Sequence, residues 1–128
     1  MESYLCCMEL VFPGEDASKF SSWMRCIETQ GGWEDWMRQL DKDLGPIKAI
    51  KDEVIHETTL EKVYERVLGI LEVALSHDPH GLAACLYQTD IPESWLRHQP
   101  LSPQRLTQAI LWRTLQKVVF RKQFSNPA

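Results

Sequence analysis

The chain has 128 residues, a mass of 14.9 kDa and a formal charge of −4, with 44% hydrophobic and 25% charged residues. Such values fit one globular domain, long enough to bury roughly two thirds of its unfolded surface without metal or disulfide staples. They exclude a disordered chain, and no apolar run approaches the roughly 18 residues that a membrane-spanning helix needs.

Met1-Glu2-Ser3-Tyr4 carries no basic stretch ahead of its short apolar segment, so a secretory signal is not expected. Residues 3–12 are an apolar run closed by Pro13-Gly14, readable as a short helix or as a strand. In an otherwise helical chain a lone strand would leave its edge unpaired, which favours the helix.

From Asp16 on the pattern is helical. Phe20, Trp23, Met24 and Ile27 fall at i, i+3, i+4 and i+7, and Gly31-Gly32 ends that element. Trp33, Trp36, Met37, Leu40 and Leu44 continue the spacing in a second helix that stops at Gly45-Pro46. Pro46 is expected to open a third helix with Ile47, Ile50 and Val54 on one side.

Thr58-Thr59-Leu60-Glu61 reads as a capping box, in which a threonine oxygen accepts from the N3 amide and Glu61 reaches back to the cap amide. Beyond it Leu60, Val63, Tyr64, Val67, Leu68, Ile70, Leu71, Ala74 and Leu75 share one side of a helix of about five turns. Glu61, Lys62, Glu65, Arg66, Glu72 and Ser76 take the other side, with Val73 the apolar exception. Gly69 lies among the polar positions, at a cost of about 1 kcal/mol of propensity against alanine unless something packs close to it.

Asp78-Pro79, Asp90-Ile91-Pro92 and Ser102-Pro103 each set a side-chain acceptor at or just before a proline, the arrangement that starts helices. They predict short helices over about 79–88 and 92–98 and a long last helix over about 103–124. In the last one Leu111, Leu115, Val118 and Val119 form an apolar side opposite Arg113, Lys117 and Arg121. Leu106, Ile110, Phe120 and Phe124 nevertheless fall on or beside the basic side, with Trp112 between. So wide an apolar surface fits a helix central to a bundle, or one that also docks a second protein. The expected fold is all-α: one domain over 1–128, an irregular bundle of five or six helices, with an apolar segment at 1–14 and a loose tail at 125–128.

Charge is unevenly spread. No acid follows Glu93, whereas Arg97, Arg105, Arg113, Lys117, Arg121 and Lys122 give +6, leaving −10 on the rest. The asymmetry can mark a surface for nucleic acid or anionic lipid, but the plentiful acids of the other helices favour a basic helix packed against them in the same domain. Cys6, Cys7, Cys26 and Cys85 match neither a zinc pattern nor a secreted disulfide framework, so reduced thiols in a cytoplasmic protein are expected.

Few residues suggest chemistry. His77-Asp78-Pro79-His80 sets two imidazoles around a carboxylate and could bind a transition metal, although the sequence places no third ligand. The simpler expectation is that Asp78 caps a helix and both histidines are solvated. Glu53 and His56 have the Glu-x-x-His spacing of carboxylate-bridged di-iron bundles, in one copy where those need two. A phosphate loop and a nucleophile elbow are both absent. Trp95, in the short 92–98 element, either packs down as a lid or projects as an interface anchor.

The expectation is a non-enzymatic interaction or adaptor protein without cofactor or metal, binding another protein and no membrane. Its contact surface is Trp95 with Arg105, Arg113, Lys117, Arg121 and Lys122. The rivals are a nucleic-acid-binding regulator using the basic helix and, third, a metal-dependent enzyme at His77 and His80.

Overall fold

The structure, a computed structural model, describes residues 22–29, 31–47, 55–91 and 102–124. Expectations for residues 3–12, Ile50, Glu53 and Val54, the 92–98 helix with Trp95, and the tail at 125–128 lie outside the described residues.

Five helices and no strand occur among them, so the protein is all-α, with its long helix at the C-terminal end. Helix α1 covers 22–29, with Met24 and Ile27 buried. Two glycines at positive φ, Gly31 at 77° and Gly32 at 126°, then turn the chain. Gly32 is needed for room as well as conformation, because a Cβ there would lie 2.5 Å from the Lys122 side chain and 2.9 Å from that of Ile27.

Helix α2, Trp33–Leu44, buries Trp36, Met37, Leu40 and Leu44, the stripe its spacing predicts. Glu34 and Asp35 in its first turn and Lys42 in its last suit the helix dipole. After Leu44 the chain turns, with the Gly45 and Ile47 amides donating to the carbonyls of Lys42 and Leu44. Pro46 therefore lies within this turn, where the end of α2 tightens into i→i+3 bonds; the helix expected to follow it falls outside the described residues. At the start of the next described stretch, the Ile55 amide donates to Asp41 Oδ1 at 2.7 Å and Trp33 Nε1 to the Glu57 carbonyl at 2.7 Å, tying residues 55–57 to α2.

Helix α3, Leu60–His77, starts one residue later than the capping box requires. Thr59, extended at φ −131°, is the cap, and its hydroxyl accepts from the Lys62 amide at 3.2 Å. Glu61 is thereby N2 instead of N3, too early in the turn to reach back, so the helix is capped by one threonine without the reciprocal glutamate. Val63, Tyr64, Val67, Ile70, Leu71 and Ala74 are buried as expected, whereas Leu75 is 43% exposed near the turn into α4. A Cβ at Gly69 would meet nothing within 4 Å. Gly69→Ala is therefore expected to stabilise the protein by about 1 kcal/mol in urea unfolding; a loss of stability would mean that something packs against this glycine.

Helix α4, Pro79–Thr89, has Asp78 as its cap, accepting from the Gly81 amide at 3.0 Å, and proline at its first position. It ends on Asp90, in the left-handed region at φ 60°. Helix α5, Pro103–Phe124, begins at Ser102, whose Oγ accepts from the Arg105 amide.

The core is built around α5. Residues 106–112 are all buried, as are Thr114, Leu115, Val118 and Val119, so Leu106 and Ile110, on the basic side of the wheel, are as deep as Leu111. Helices α2, α3 and α4 all pack on it. The central position accounts for the buried part of its wide apolar surface, Phe120 being left 38% exposed. Trp36 and Trp112 are fully buried, and Trp36 Nε1 donates to Thr114 Oγ1 at 2.9 Å, giving the indole proton a partner inside the core.

Candidate functional site

The basic stripe of α5 faces α2 and the end of α4. Lys117 Nζ donates to Asp43 Oδ2 at 2.8 Å and to the Gln88 carbonyl at 3.1 Å, and Gln39 Nε2 donates to Asp43 Oδ1 at 3.0 Å. The Asp43 side chain is 1% exposed and that of Lys117 20%. A carboxylate so deep is tolerable only because both oxygens are engaged and a cation sits against it. The pair fixes α2, α4 and α5 to one another.

One turn earlier on α5, Arg113 donates from Nε to the Asp90 carbonyl at 3.0 Å and from Nη2 to its Oδ2 at 3.3 Å. Its Nη1 donates to Gln116 Oε1 at 2.7 Å. The left-handed turn at Asp90 presents both oxygens to one guanidinium, a conformation that aspartate accepts more readily than most residues. At the other end of α5, Lys122 pairs with Asp35 of α2 at 3.2 Å. Helices α2 and α5 thus run antiparallel along a seam closed by Asp35–Lys122 and Asp43–Lys117.

A furrow follows this seam. Its first groove, about 380 Å³, is lined by Lys42, Arg113, Lys117, Arg121, Asp43 and Phe120, with Gln39 and Gln88. Four cations line it, two of them held by Asp43 and Asp90, and Phe120 is 38% exposed among them, its ring edge-on to Trp23 at 5.5 Å. Next comes a hollow between Asp35, Val118, Arg121 and Lys122. The last groove, about 550 Å³, lies where α1 turns into α2, with Glu28, Glu34 and Asp35 against Arg38, beside Ile27 and Trp33. Arg121 lines the first two and Asp35 the last two, so each neighbouring pair shares a wall residue. One end is cationic and the other anionic.

No family model, curated protein or solved structure matches this chain. What the furrow does rests on its own geometry.

Of the residues expected at a contact surface, the structure brings Arg113, Lys117, Arg121 and Lys122 together on the furrow. Arg105 lies in the first turn of α5, away from it, and Trp95 is outside the described residues. Spacing on one helix could not supply Lys42, Asp43 and Phe120. Asp43 did carry a signal: it falls seven residues after Trp36, on the buried side of α2, where a carboxylate needs a partner.

The other chemical candidates are dispersed. His77 and His80 are exposed on either side of Asp78, whose Oδ1 accepts from the Gly81 amide, and His56 is exposed. Among the described residues no three His, Cys, Asp or Glu side chains gather as a metal site would require. Nor is any described helix long and apolar enough to cross a membrane. Cys85 is a buried free thiol. Burial pushes the Cys85 thiol up to about 12, and Asp43 adds to the rise, against the opposing effects of the Thr89 hydrogen bond and Lys117. At neutral pH it is no nucleophile.

Proposed function

We propose that this protein is a non-enzymatic, cytoplasmic interaction or adaptor protein that docks another protein through the furrow on its C-terminal helix. The observation that carries the reading is Phe120, a large apolar side chain left 38% exposed inside a groove of cations. An aromatic ring with arginines about it is the composition from which interface anchors are drawn. The surroundings are pre-set: Arg113 and Lys117 are held by Asp90, Gln116, Asp43 and Gln88, so little side-chain freedom is left to lose on binding.

Phosphate binding is the weaker alternative, because Arg113, Lys117 and Lys122 each already carry a carboxylate partner that a nucleic acid would have to displace. The test is a photo-crosslinking residue at position 121 in the native cell, with position 72 on the exposed side of α3 as control. Protein adducts are expected at 121, absent at 72 and weakened by Phe120→Ala. Equal labelling at both positions, or nucleic-acid adducts at 121, would refute the docking reading.

A further inference from the structure

We infer that the occupant of the furrow is a second copy of this chain, related to the first by a two-fold axis across the α2–α5 seam; this rests on the docking reading above. The furrow is self-complementary. Its cationic end presents Lys42 and Arg121 beside the Arg113–Asp90 and Lys117–Asp43 pairs, and its anionic end presents Glu28 and Glu34, with Arg38 beside them and Asp35 paired to Lys122. The central hollow, where Asp35 and Arg121 both take part, separates the two ends. From Asp35 to Asp43 along α2 the charge changes sign over about 12 Å. A two-fold axis through the hollow turns the furrow end for end, so each cationic groove faces an anionic one, twice per dimer, and the assembly closes.

Apolar side chains follow the same symmetry. Phe120 stands in the cationic groove and Trp33 lines the anionic one, so the same rotation sets the groove that holds Phe120 against the groove that holds Trp33. Trp33 is already fixed, through its bond to the Glu57 carbonyl and its edge-on contact with Trp36 at 5.3 Å. A rigid indole facing an exposed phenyl ring is an efficient contact pair. An acidic peptide or a nucleic acid would use only the cationic end and leave the opposite groove without a role. Contacts between exposed charges are individually weak and screened by salt, so the dimer is a salt-sensitive one.

Two double variants test this without touching buried residues: Lys42→Glu with Arg121→Glu, and Glu28→Lys with Glu34→Lys, four side chains that are exposed. Mass is read by sedimentation at about 200 μM protein and about 50 mM salt, with circular dichroism confirming the helices. Wild type is expected to be dimeric, its association weakened about tenfold or more by raising salt to about 500 mM. Each double variant alone is expected to be monomeric, because like charges then meet at both ends. An equimolar mixture of the two is expected to recover a heterodimer, since each contact becomes opposite in sign again. A monomeric wild type, or two variants that dimerise as well as wild type, would overturn the inference. So would a mixture that stays monomeric. If the wild type is monomeric while residue 121 still crosslinks to a different protein, only the self-association falls; if residue 121 crosslinks to no protein, the docking reading falls with it.

Discussion

Lys117→Met is expected to lower the unfolding free energy by about 3 kcal/mol, read as a shift in the urea midpoint at constant slope. The cost arises on the partner. Asp43 has a side chain 1% exposed, and without the ammonium 2.8 Å away its charge stays buried, held among the described residues by the Gln39 amide. Breaking a buried pair from one side costs about 3–5 kcal/mol, and the lower end applies because Lys117 is itself 20% exposed, so water can partly replace it. Adding Asp43→Leu to Lys117→Met should recover most of the loss, since a buried pair replaced by apolar groups is often neutral. A double variant as unstable as the single would show that the pair's own attraction, and not the orphaned carboxylate, sets the cost.

Trp36→Ala should cost more, about 3–5 kcal/mol. The indole is wholly buried between α2 and α5, so its loss leaves a cavity in a core that relaxes only in part. It also ends the hydrogen bond from Nε1 to Thr114 Oγ1. Thr114→Val isolates that contribution: it removes the acceptor, leaves the indole N–H buried without one, and should cost about 1–3 kcal/mol. Thr114 Oγ1 also bonds the Ile110 carbonyl at 2.8 Å, an acceptor already served within the helix, so little of the loss belongs there. If Trp36→Ala costs under about 1 kcal/mol, the interior around α5 is looser than its burial implies.

Helix ends were the most legible feature of this sequence, because each is written in local chemistry. Asp78 before Pro79 and Ser102 before Pro103 cap where their side chains predict. The misses are local as well. Thr58 and Thr59 are both competent caps, and only packing of the Leu60–Leu71 side against α5 settles which one is used. Around Pro46 the described chain shows only the turn that closes α2. For α5 the periodic signal fades for a physical reason: a helix enclosed on nearly every side has no polar half to mark its orientation.

Much less of the furrow could be read. Arg113, Lys117 and Arg121 announce one face of a helix through their spacing. Nothing in that spacing says that Lys117 meets Asp43, 74 residues away, or that Arg113 meets the end of α4. Such pairs are created by tertiary packing and leave no trace in a local window. The same holds for the opposite polarity of the two grooves, which arises only once α2 lies antiparallel to α5.

The place of α5 has a consequence for biogenesis. Synthesis proceeds from the N-terminus, yet α2, α3 and α4 bury their oily sides against a segment made after all of them. Until residues 103–124 leave the ribosome those helices have no lasting surface to cover them, so the nascent chain emerges sticky and folds late. Stalling translation before position 103 should therefore yield a product that chaperones retain and proteases cut, and release past position 124 should let it close in one cooperative step.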